Sequence, residues 1–220
     1  IEPKEKQGVA DSRAEVERAL KEPIGTEPLS KIVKPGDTVA IVVNDSTRVT
    51  PSYLMVPPLL DELNQAGVKD ENITIIFGCG THRAVRPDEM KKLVGEEILE
   101  RVKAVNHDYK SDDLVYLGKT AKFGTKVYVN KIFAEADRRI LTGNVELHYY
   151  AGYGGGRKSV LPAISGAETI QSNHAMLLSP KARTGVLEVR QNRGLCKNSH
   201  QELFGQYRTE GKARCSRLSS

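Results

Sequence analysis

"DTVAIVVNDSTRVTP", residues 37 to 51, runs five apolar residues from Val39 to Val43 directly into a polar loop. A short, unbroken apolar run stopped by Asn, Asp and Ser has the pattern of a strand buried on both faces. "NITIIFG" (72 to 78) repeats that pattern. Between them, "PSYLMVPPLLDELNQAG" (51 to 67) carries helical spacing ended by Gly67, with Pro57 and Pro58 predicting a kink or a start near residue 57. Before the first strand, "DSRAEVERALKEP" predicts a short helix with a capping box from Ser12 to Glu15. After the second come a helix from Pro87 to Val94 and strands at "RVKAV" (101 to 105), "DLVYLG", "TKVYVN" and "DRRILTG" (137 to 143). This alternation predicts an α/β fold with a largely parallel sheet flanked by helices.

In such sheets the ligand site lies at the carboxyl ends of the strands, and the polar residues of this chain gather there. "NDSTRVTP" (44 to 51), "CGTHR" (79 to 83), "NHD" (106 to 108) and "GNVELHYYAGYGGGRK" (143 to 158) each follow a strand. Taken singly, each loop has a structural explanation: Asp45 and Ser46 in a turn, His82 as a cap, His107 satisfied by backbone. Four such loops in succession predict one shared pocket.

The chain has 220 residues and 39% hydrophobic content, enough for one domain with a substantial core. No run approaches the roughly 20 apolar residues that a bilayer span requires, and no signal peptide is visible, so the expectation is a soluble, cytoplasmic protein without a membrane partner. Three cysteines without CxxC spacing argue against a disulfide framework or a zinc site. The net charge of +5 is carried entirely by residues 189 to 220, which leaves 26 charges of each sign in residues 1 to 188. A neutral body argues against nucleic acid as a partner. The basic tail, poor in apolar periodicity, is expected to be disordered.

"GYGGGRKS", Gly152 to Ser159, misses the phosphate-loop pattern G-x-x-x-x-G-K-[ST] by one residue, with Arg157 in place of the last glycine. "ELHYYA" is a poor buried strand to feed such a loop, and Pro162 leaves little room for a helix beginning at Lys158. The dinucleotide pattern G-x-G-x-x-G fails as well. Lys158 is therefore expected on a pliable loop, where desolvation or the Arg157 cation would suit it to act as a nucleophile or covalent anchor.

The set "NDSTRVTP", "GCGTHR", "NHD", "H-YYAGYGGGRKSVLP" and "SGAETIQSNH" resembles the N-terminal domain of the nickel-dependent lactate racemase family over almost all of residues 1 to 188. The resemblance implies a nickel-pincer nucleotide tethered to Lys158, with His174 as the nickel ligand. It also implies that His82 and His148 are the two acid/base residues, and that Asp45 and Arg48 line the pocket, Arg48 facing an anionic group. The implied activity is racemisation or epimerisation of a small 2-hydroxy acid, lactate first, by reversible hydride transfer. The enzymes that make the cofactor would be partners. Hydride transfer avoids a carbanion beside a carboxylate, and a planar sulfur and carbon donor set suits nickel with a single protein histidine.

Ala163 stands where the family usually has glycine. The resemblance ends with "ARTGVLE" (182 to 188), so residues 1 to 188 are expected to be a family domain incomplete at both ends, and 189 to 220 an unrelated tail. The alternative is a truncated cofactor- or nucleotide-binding α/β domain without catalysis.

Overall fold

The computed structural model describes residues 8–120, 123–180 and 182–186. Helices α1 (Ser12–Lys21) and α2 (Leu29–Ile32) precede strand β1 (Val39–Asn44), and α3 (Ser52–Gln65) leads to β2 (Ile73–Gly78). Helices α4 (Pro87–Val94) and α5 (Glu96–Arg101) lead to β3 (Lys103–Asn106). Strands β4 (Leu114–Lys119) and β5 (Lys126–Asn130), helix α6 (Lys131–Glu135) and strand β6 (Arg138–Leu141) follow. The two-residue strands β7 (Leu147–His148) and β8 (Gly152–Tyr153), a 3-10 turn at Gly156–Ser159 and helix α7 (Ala167–His174) come last.

The central sheet has the order β3-β2-β1-β6, and all three pairings are parallel. Val39, Ile41 and Val43 of β1 point to one face, where they meet Val56, Leu59, Leu60 and Leu63 of α3, Val94 of α4 and Ile98 of α5. Ala40 and Val42 point to the other face, against Ile76, Val127, Val129, Phe133 and Ile164. Both faces are covered, which is why β1 reads as a continuous apolar run and not as an alternation. Each fully buried Val, Ile or Phe contributes about 1.5–3 kcal/mol, which offsets the roughly 1–2 kcal/mol needed to fix its backbone.

"DLVYLG" and "TKVYVN" do form strands, but outside the central sheet. They pair with each other in antiparallel fashion, Leu114 opposite Asn130, and the hairpin lays Val127 and Val129 over the second sheet face. Alternation within β5, buried at Val127 and Val129 and half-exposed between them, reflects this one-sided packing.

Three local expectations are corrected. Helix α1 is capped by Asp11, whose carboxylate accepts from the Ala14 N–H, and Ser12 is its first helical residue. Helix α3 starts at Ser52 and keeps Pro57 and Pro58 inside. The two prolines remove only the amide donors to the carbonyls four residues earlier, at Tyr53 and Leu54 in the first turn, and Pro58 is itself buried in the core side of the helix. The third strand runs over Lys103–Asn106, because residues up to Arg101 complete α5.

Among the described residues no helix is long and apolar enough to cross a membrane. The expectations for the boundary at Glu188 and for the tail from 189 to 220 lie outside the described residues.

Candidate functional site

Parallel pairing brings the carboxyl ends of β1, β2 and β6 to one edge, and the loops leaving them enclose a cleft of about 580 Å³. Asp45, Arg48, His82, His148, Lys158 and His174 all line it. Side chains separated by up to 129 positions in sequence thus share one cavity.

The β1 loop and the β2 loop meet through a hydrogen-bonded dyad. His82 Nδ1 lies 2.6 Å from Asp45 Oδ2. Thr47 donates to the other carboxylate oxygen from its hydroxyl at 2.6 Å and from its amide at 3.1 Å. Asp45 is 4% exposed, so its carboxylate is held in place by three donors inside the wall of the cleft. A carboxylate facing Nδ1 sets the proton on that nitrogen and leaves Nε2 with its lone pair.

A second group of lining residues is built around Tyr150, 5% exposed. The ring of His148 meets its edge at a centroid distance of 4.7 Å, His174 lies 5.8 Å away, and Lys158 Nζ sits over it at 5.9 Å. Burial pushes the Tyr150 phenol up to about 12, so it stays protonated and neutral near pH 7. His148 is pushed down to about 4, first by burial and then by the positive charges of Lys158 and Arg48. It is therefore a neutral imidazole near pH 7. Its Nδ1 accepts the Ala151 N–H at 3.2 Å. His174 donates Nδ1–H to the Ile170 carbonyl at 2.8 Å, which leaves Nε2 as the nitrogen with a lone pair.

Lys158 lies within the 3-10 turn Gly156–Ser159 and not at the start of an α-helix, which agrees with the rejection of a phosphate loop but replaces the expected pliable loop by a hydrogen-bonded turn. Ser159 fastens this turn to the end of β6 by donating to the Thr142 carbonyl at 2.8 Å. Gly155 precedes it at φ +76, and a Cβ there would meet the Asn144 carbonyl oxygen at 2.6 Å. Only glycine combines that left-handed backbone with that close approach. Arg48 lies 3.9 Å from Glu146, whose carboxylate also accepts from the Asn144 amide at 3.2 Å. The Ala163 methyl packs against Gly78, where a Cβ would meet it at 2.8 Å and which has none to oppose it.

One of the four loops does not line the cleft. His107 is buried and donates from Nε2 to the Ser165 carbonyl at 3.0 Å, and burial lowers its pKa. Asn106 brackets Val85, donating to its carbonyl and accepting its amide, each at 2.9 Å. "NHD" thus braces the β2 loop from behind. Asn44, Asn144, Glu146 and Tyr150, which lie in loops expected at the pocket but carried no individual role in the sequence reading, also line the cleft. Both asparagines flank Thr50, whose hydroxyl lies 2.8 Å from each side-chain oxygen.

A family model described as the lactate racemase N-terminal domain matches residues 1–185. The chain belongs to this family. It is 39% identical over 175 residues to a lactate racemase from Thermoanaerobacterium thermosaccharolyticum, covering 79% of this chain and 41% of that protein. It is 38% identical over 175 residues to a lactate racemase from Lactiplantibacillus plantarum, covering 78% and 41%. The chain thus spans well under half the length of the curated relatives it matches. The solved structure of the lactate racemase apoprotein from T. thermosaccharolyticum superposes with a TM-score of 0.78 at 34% identity, over 87% of this chain and 46% of that one. A protein from Thermotoga maritima shares the fold at a TM-score of 0.69 and 22% identity, over 90% of this chain and 48% of that one. The family and the parallel α/β architecture are those expected from the sequence.

Proposed function

We propose that this chain is the cofactor-bearing part of an isomerase that racemises a small 2-hydroxy acid, lactate being the first candidate. The observation that carries the reading is the convergence of Lys158, His174, His82, His148, Arg48 and Asp45 on one cleft. The curated relatives named lactate racemase support the substrate class.

The residues present fit a lysine-tethered nickel-pincer nucleotide. Among the described residues no three His, Cys, Asp or Glu side chains gather as a metal cluster, so a metal at His174 would draw its remaining donors from the cofactor itself. Lys158 would hold the cofactor covalently through its amine, and His174 would offer Nε2, its tautomer fixed by the Ile170 carbonyl. When bound, the group would supply a hydride acceptor and donor. Arg48, braced by Glu146, is suited to the carboxylate of the substrate or to a phosphate. His82 and His148 exchange the hydroxyl proton on the two faces of the bound acid. Enzymes that build the cofactor would then be obligatory partners.

The test is lactate racemisation by a full-length family protein carrying this domain and supplied with the cofactor-building enzymes. Single replacement of His82 or of His148 should reduce turnover by at least about a hundredfold while the cofactor stays attached. Near-normal rates in both directions with either variant would refute the two-histidine assignment.

A further inference from the structure

The proton-exchange role of His82 and His148 treats them as equivalent, but their hydrogen-bond partners are opposite in kind. Asp45 Oδ2, 2.6 Å from His82 Nδ1, can only accept from that nitrogen, because it belongs to a carboxylate already receiving the Thr47 hydroxyl and amide on its other oxygen. The Thr47 hydroxyl, 3.4 Å from the same nitrogen, directs its O–H to Asp45 and therefore also presents an acceptor lone pair to the ring. The Ala151 N–H, 3.2 Å from His148 Nδ1, can only donate.

On this basis, and resting on the racemase reading for its functional meaning, we infer that the two histidines rest in opposite tautomers. His82 carries its proton on Nδ1 and presents a lone pair at Nε2. His148 carries its proton on Nε2 and presents a donor. Neither Nε2 has a protein partner among the described residues, and both rings line the cleft. The charged and titratable groups around His148 are Lys158, Arg48, Glu146 and His174. The two cations oppose a second ring proton, so the Nε2 proton is the one it holds.

The site is therefore polarised. A ligand hydroxyl finds its acceptor at His82, whereas a ligand oxygen acceptor, keto or carboxylate, finds its donor at His148. For His148 to accept a hydroxyl proton at Nε2, its own proton must first move to Nδ1. That would set Nδ1–H against the Ala151 N–H, donor against donor, so this hydrogen bond has to open. One face of the reaction is thus preset in the resting chain, and the other requires a shift in the 148–151 turn. Asp45 and the Ala151 amide act as positioning groups, through the histidines.

Long-range proton–nitrogen NMR on the 15N-labelled 220-residue chain at about pH 8, above the ordinary imidazole range, reads each tautomer directly. Signals are assigned by replacing His82 and His148 by Gln, one at a time. Two internal references come from carbonyl partners: Nδ1–H for His174, bonded to Ile170, and Nε2–H for His107, bonded to Ser165. The expected result is Nδ1–H on His82 and Nε2–H on His148. Asp45→Ala should move His82 toward the Nε2–H form that an unrestrained histidine side chain prefers and leave His148 unchanged. Any other pair of tautomers in the unsubstituted chain overturns the inference, and a His82 that keeps Nδ1–H without Asp45 overturns the role given to Asp45. The measurement involves no cofactor, so opposite tautomers in a chain that never carries an adduct would retain this inference and remove the racemase reading. Equal tautomers in a chain that does carry one would do the reverse.

Discussion

His148 should make this protein less stable in mild acid, and the sign follows from the structure. Its folded-state pKa is depressed to about 4 from an ordinary value of 6.5. Between those two pH values the unfolded chain binds a proton that the folded chain refuses, so stability falls as the pH drops through this window and is fully present above it. For a fully sheltered ring the gap would amount to about 3 kcal/mol, and for a half-buried one, screened by solvent, we expect roughly 1–2 kcal/mol. Urea denaturation of the wild-type chain and of His148→Gln at about pH 7 and pH 4.5 isolates the contribution, because acid effects of the carboxylates and of His107 are common to both. The wild type should lose roughly 1–2 kcal/mol more than the variant between the two conditions. Replacing Lys158 by Met, which removes the second-largest cause of the depression, should shrink that difference. An equal loss in both proteins, or a larger one in His148→Gln, would refute the claim that His148 is held neutral by burial and by its cationic neighbours.

Gly155→Ala should destabilise the chain by at least about 2 kcal/mol, since it combines a left-handed backbone with a backbone oxygen 2.6 Å from the new methyl. Gly156→Ala, at φ +55 with nothing within 4 Å, should cost only about 1–2 kcal/mol; equal urea midpoints would show that the 2.6 Å approach does not matter. Tyr150→Ala should cost about 3–5 kcal/mol and Tyr150→Phe about 1 kcal/mol or less, because the ring, in contact with His148, His174 and Lys158, is what fills the wall. Similar denaturation midpoints for the two Tyr150 variants would argue against that role.

The parts of the fold that could be read from the sequence are those set by local pattern. The apolar runs of β1 and β2 announce strands covered on both sides, and the bounds of α4 coincide with Pro87 at its start and Gly95 after its end. The hairpin of β4 and β5 was legible as two strands but not as a separate antiparallel pair. Its destination depends on Val127 and Val129 meeting Ala40 and Val42, a contact between segments far apart in the chain. The cleft was legible for the same reason as the sheet, since parallel strands deliver their following loops to one edge. Asn106 and His107 were misplaced because their partners, Val85 and Ser165, are fixed by tertiary packing. Tyr150 escaped notice because a tyrosine in a glycine-rich stretch carries no periodic signal, and its importance appears only once His148, His174 and Lys158 surround it.

The central claim, that this cleft holds a cofactor on Lys158, is tested most directly by intact-protein mass spectrometry of the chain coexpressed with the cofactor-building enzymes. The account predicts a covalent adduct on the wild-type chain that maps to Lys158 and is missing from both Lys158→Ala and Lys158→Arg, since a guanidinium stays protonated and cannot form the link. An adduct that persists in Lys158→Ala, or a wild-type chain that stays unmodified beside a full-length family protein loaded in the same cells, would contradict it.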